Sequence, residues 1–195
     1  MFTPMKSLIF PTLSGALYVI LSSFYFTYPA NGFHGKGAVV LIGELTLIAG
    51  ACTIAAGLWN PLRRPSWPLL LSGLFCSALG WMLAFWKGPT AFRAVALLII
   101  GMAISLGIHE FMALRASRQP VLEDWLRVAA AIVSLGFAAV FLAFVLRLIS
   151  LEPSPSAQTF LWIGSFFGFS AICMFKMALR LPWPALPALK ERITY

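Results

Sequence analysis

Apolar residues fill this chain in six long runs, each closed by a short cluster of polar or helix-breaking residues. The runs cover Ser7–Tyr28, Ala38–Leu58, Trp67–Trp86, Phe92–Leu114, Trp125–Ile149 and Ala157–Leu179. Each has about 20 residues or more, enough at about 1.5 Å per residue to cross a hydrocarbon core about 30 Å thick. Lipid offers backbone groups no hydrogen-bonding partner, so the runs must be helices. The pattern predicts an all-α integral membrane protein of six transmembrane helices, a single membrane domain over residues 1–195. The segments between the runs are "YPANGFHGKG", "WNPLRRPSWP", "KGPTAF", "RASRQPVLEDW" and "SLEPSPSA". Proline, glycine and charge make them turns, and none is long enough to be a soluble domain. Residues 181–195 form a Pro-rich tail whose prolines prevent the sixth helix from continuing. The first run is read as a span and not a cleaved leader, because no A-x-A site follows "FYFTYPANG".

Composition agrees with the runs. The chain is 61% hydrophobic and 10% charged, whereas a soluble domain covers its surface with roughly a quarter charged residues. The net charge of +8 does not imply nucleic acid, because the basic residues sit in the gaps between apolar runs, where they orient membrane helices. One side collects Lys6, Arg63, Arg64, Arg115, Arg118, Arg127, Arg180, Lys190 and Arg192, and the other Lys36, Lys87, Arg93 and Arg147. The richer side is expected to be cytoplasmic, which places both termini there. Trp59, Trp67, Trp86, Trp125 and Trp183 fall at span ends, as interface anchors do.

The chain also repeats itself. Met112–Arg115 and Met177–Arg180 both read "MALR", closing the fourth and sixth spans, and Trp67 and Trp125 open the third and fifth after basic, Pro-containing loops. The expectation is three repeated hairpins in one orientation. With "SWPLLLSGLFCSALGWMLAFWKGPTAF" and "LLIIGMAISLGIHEFMALRASR", this pattern resembles the HdeD-like acid-resistance membrane proteins. The shared features are a Trp entering a span, the Leu71-Ser72-Gly73 triplet, Pro89 in the outer turn and a Gly-rich return helix ending in Arg. The resemblance is strongest over Trp67–Arg118, and the first hairpin departs most, with "GFHGKG" in its outer loop. It implies a small, six-helix, multi-pass protein of the bacterial inner membrane with a stress-linked role. It supplies no catalytic residues and no mechanism.

Among the ionisable side chains inside the runs, five are candidates for a role: Glu44, His109, Glu110, Arg147 and Lys176. His109 and Glu110 adjoin within the fourth, about 8 Å from its basic end. They do not complete the zinc motif H-E-x-x-H, since position 113 is Ala. Glu44 is expected about 9 Å from the outer end of the second span, with Arg147 of the fifth span at comparable depth. Lys176 stands at nearly the depth of Glu110. Buried charge in a membrane is costly unless paired, so depth suggests two ion pairs, Glu44 with Arg147 and Glu110 with Lys176. Neighbouring helix positions diverge by about 100°, so Glu110 is expected to face inward and His109 toward the basic-side interface. Gly164 and Gly168 form a G-x-x-x-G, which permits close helix approach, more readily to an internal neighbour than to a second subunit.

Cys52, Cys76 and Cys173 each lie in an apolar run without a CxxC, as packing residues and not ligands. G-x-S-x-G, P-loop and acidic metal-binding patterns are lacking. The expected protein is therefore non-enzymatic, without cofactor, metal or nucleic acid, with the lipid bilayer as its surroundings and a homo-oligomer left open. The alternative is a small transporter or proton conductor using Glu44, His109 and Glu110. An intramembrane enzyme ranks third.

Overall fold

The computed structural model describes residues 3–27, 36–59, 66–85, 92–116, 121–146 and 155–179. They form six helices, α1 (Thr3–Thr27), α2 (Lys36–Leu58), α3 (Trp67–Phe85), α4 (Phe92–Ala116), α5 (Val121–Val145) and α6 (Pro155–Leu179). Among the described residues there is no strand. All six helices are long and apolar enough to span a membrane, and the chain is a multi-pass membrane protein by that measure.

Boundaries shift where hydropathy and helix formation part company. α5 begins at Val121, four residues before the apolar run. The expected end of α5 at Ile149 lies outside the described residues, as does the 181–195 tail.

α2 and α3 pack most closely, followed by α1 with α6 and α4 with α5; α3 with α4 and α1 with α2 meet more loosely. α5 and α6 meet less closely still, joined by rings: Phe137 stands 5.6–6.1 Å from Phe166, Phe169 and Trp162, and Phe144 stands 6.4 Å from Trp162. The six helices therefore form a ring, with α1 beside α6. Tyr18, Phe141, Phe166 and Phe167 are its largest fully buried side chains.

The tightest seam is built from glycine. A Cβ on Gly43 would stand 2.5 Å from Ala84 N, one on Gly73 2.7 Å from Ile54 N, and one on Gly57 3.2 Å from Leu70 N. Gly43, Gly50 and Gly57 recur every seven residues on α2, and their neighbours Ala84, Ser77 and Leu70 step back by seven on α3. Small residues thus hold one antiparallel register along the whole contact.

Each close seam also carries one hydrogen bond from an odd-numbered helix to a carbonyl of an even-numbered one. Ser22 Oγ donates to Gly164 O at 2.8 Å, Cys76 Sγ to Thr46 O at 3.4 Å, and Ser134 Oγ to Ala103 O at 2.6 Å. Ser14 Oγ of α1 also reaches Ala49 O of α2, at 3.5 Å across a looser seam, so such bonds are not confined to the closest contacts.

Candidate functional site

His109 and Glu110 sit in the next-to-last turn of α4, at the end of the bundle where α2 leads to α3 and α4 to α5. Their side chains diverge. Glu110 turns inward to α6, where Lys176 Nζ donates to its Oε2 at 2.7 Å. The carboxylate is 6% exposed and the ammonium 21%. The ion pair suggested by depth is thus formed, and Ala103 and Gly107, on the same flank, are buried as well. A buried, uncompensated charge would be expensive in a membrane, but this one meets its counter-ion within one charge-assisted hydrogen bond.

His109 turns the other way and is half-buried. Its Nδ1 lies 2.8 Å from the hydroxyl of Ser66, at the start of α3. Ser66 also anchors the connection before α3, its N–H donating to Gly57 O at 3.1 Å and its carbonyl accepting from Leu70 N at 3.0 Å. The expectation for His109 was contact with the interface. Ser66 replaces part of that contact, and nothing in the spacing of the sequence joins the two residues. Arg127, on α5, is half-buried. The C-terminal end of α4 is therefore held on opposite flanks by adjacent side chains, one to α3 and one to α6.

Glu44 belongs to no such cluster. It is exposed on the flank of α2 between Leu41 and Ile48, themselves 46% and 47% exposed. Gly43 packs against Ala84, in the last turn of α3, so Glu44 is level with the end of α3. α2 runs about two turns beyond that end of α3. Arg147, the expected partner, lies outside the described residues.

Gly164 and Gly168 face α1. A Cβ on Gly164 would lie 3.1 Å from Tyr25 Cβ, and one on Gly168 3.0 Å from Ser22 Oγ. The G-x-x-x-G is used within the chain.

A second polar cluster joins α1 to α2 and was not foreseen. Thr53 Oγ1 donates to Ala49 O at 2.8 Å, which leaves its oxygen to accept from Ser14 Oγ at 2.7 Å and from Tyr18 OH at 2.9 Å. All three side chains are buried. Serine and threonine alone gave no signal, since either can be satisfied by its own helix.

Among the described residues, no group of three or more His, Cys, Asp or Glu could hold a metal ion. The three cysteines are unpaired and buried. No family model, curated protein or solved structure matches the chain.

Proposed function

We propose that this chain is a non-enzymatic protein of a bacterial inner membrane, HdeD-like, contributing to tolerance of acid or other stress. In this reading it consists of three repeated hairpins with both termini in the cytoplasm. The hairpins are α1–α2, α3–α4 and α5–α6. Two features support the repeat. Close and looser packing alternate around the ring, and each close seam joins one hairpin to the next through a donor on an odd-numbered helix and a carbonyl on an even-numbered one. A threefold repetition of one hairpin gives both features without further assumption.

The observation that carries the non-conducting reading is the direction of the acidic side chains. A proton path using Glu44, His109 and Glu110 needs them to face a common interior. Glu44 instead lies on the outward flank of α2, His109 is engaged with α3 and Glu110 with α6. The test combines a deletion strain with reconstituted vesicles. Survival of the deletion strain after low-pH shock should fall and be restored by the wild-type gene. Vesicles holding the purified protein should leak protons no faster than protein-free ones. A proton flux that Glu110→Gln abolishes would replace this reading with the transporter. Unchanged survival under acid and other stresses would remove the stress role.

A further inference from the structure

α3 turns a continuous apolar stripe outward. Trp67, Leu71, Leu74, Ala78, Trp81 and Phe85 are all exposed and recur at alternating steps of four and three residues. Such a stripe belongs to any helix that faces lipid, and alone it names no occupant. The flanking helices set this one apart. α2 and α4 both pack on α3, and they carry exposed charges of opposite sign, Glu44 on α2 and Arg93 on α4.

The two charges share one height. α2 and α3 run antiparallel, with Gly43 beside Ala84 and Gly80 beside Leu47, which puts Glu44 level with Leu83. α3 and α4 run antiparallel, with Ser66 beside His109 and Phe75 beside Gly101, which puts Arg93 level with Met82. The difference is one residue of α3, about 1.5 Å of rise. A charge on an apolar flank is costly unless it is paired. Among the described residues neither Glu44 nor Arg93 is paired with an opposite charge, and within one copy α3 stands between them.

We propose that two copies of this chain dimerise through the outward stripe of α3, with Glu44 of each copy paired to Arg93 of the other. Copies inserted in the same direction are related by a twofold axis along the membrane normal, which preserves every height. α3 then meets α3, with Ala78 near the middle, where a small side chain permits close approach. The same axis brings the α2 flank of each copy against the α4 flank of the other. A mutual ion pair needs opposite signs, opposite flanks and equal height, and Glu44 with Arg93 has all three. Two identical pairs result, one on either side of the seam. Apolar surface gives helices no net drive to associate in lipid, so the charges select this face and the rings of the stripe pack within it. The contact requires the helices to cross the membrane, and it depends neither on the proposed stress role nor on the hairpin repeat.

The test uses the full chain in phosphatidylcholine vesicles and reads disulfide formation under membrane-permeant copper phenanthroline. Ala78→Cys should link two copies, because the axis brings position 78 beside itself. Leu142→Cys should not link, although Leu142 is exposed on α5 at a similar height, set by Ser134 beside Ala103. Nor should the wild type, whose three cysteines are buried. Charge reversal in the Ala78→Cys background then tests the pairing. Glu44→Arg should lower the linked fraction about tenfold, from two contacts each worth about threefold, and Arg93→Glu should do the same. Glu44→Arg with Arg93→Glu together exchanges the charges and should restore linking, which a loss of folding could not do. Should Ala78→Cys not fold, Leu74→Cys, one turn along the stripe, replaces it. Absence of linking at both 78 and 74, or equal linking at 78 and 142, would overturn the dimer and leave the stripe to lipid. Linking that survives either reversal, or that the exchange does not restore, would overturn the pairing of Glu44 with Arg93.

Discussion

Lys176 and Glu110 meet across 66 residues of chain, and the two ends of the bond are not equivalent. The carboxylate is nearly enclosed, while a fifth of the lysine side chain remains open. Removing the lysine therefore strands the more deeply buried charge. Lys176→Met is expected to cost about 3 kcal/mol, the scale for breaking a buried pair from one side. Glu110→Gln should cost less, because the freed ammonium can extend toward headgroups. Glu110→Gln with Lys176→Met should recover part of the loss, since no charge is then left unpaired. A double-mutant cycle on melting in detergent reads this directly, and additive effects would show that the bond carries no coupling. This pair was legible in the sequence because two opposite charges stood at one depth in a chain with few of either. Ser66 was not legible beside His109, because a serine in a basic loop carries no depth signal. The pairing expected of Glu44 with Arg147 lies partly outside the described residues.

Helices meet closely here where side chains are smallest, and a single methyl group tests that. A Cβ on Gly80 would stand 2.7 Å from Gly43 O and from Leu47 Cα, both backbone atoms that cannot rotate away. Gly80→Ala must therefore push α2 and α3 apart, at about 1–3 kcal/mol for overpacking. Gly136 on α5 is the contrasting site, since a Cβ there meets nothing within 4 Å. Gly136→Ala should be neutral or stabilise by up to about 1 kcal/mol, from the smaller backbone entropy lost on folding. The comparison is made by melting both variants in the same detergent, and equal effects would mean that the α2/α3 contact does not govern stability. Gly164 and Gly168 were visible as a packing motif because four residues is the familiar spacing. Gly43, Gly50 and Gly57 hold the closer seam, yet seven residues separate them. Two turns of helix bring such positions back to nearly the same face, so the signal was present at a longer period. The donors Ser22, Cys76 and Ser134 were hidden, since a short polar side chain inside a span can equally bond its own helix.

The six crossings follow from hydropathy alone, but the order of neighbours around the ring does not, because apolar length says nothing about which faces are small. The hairpins expected from chain order are α1–α2, α3–α4 and α5–α6. The closest contacts run between hairpins, α2 with α3, α1 with α6 and α4 with α5, where glycines such as Gly43, Gly80, Gly107 and Gly164 meet the neighbouring helix. Two of these pairs are joined through the connections that carry Arg63, Arg64 and Arg118. Their antiparallel registers put both connections at one end of the bundle, the end that also holds His109, Glu110 and Lys176. An even number of crossings brings the chain back to the side from which it entered. If lysine and arginine orient the bundle, that end stays in the cytoplasm, since short connections rich in these residues are retained there. Fusions of alkaline phosphatase and of a fluorescent protein after Arg64, Gln119 and Tyr195 measure this, although all three positions lie outside the described residues. All three are expected to fluoresce and to lack phosphatase activity, and a fusion after Gly88 should do the reverse. Phosphatase activity at Arg64 and Gln119 together would invert the bundle while keeping its crossings. Activity at only one of them would mean that a helix between does not cross, and the ring as a membrane-spanning unit would have to be abandoned.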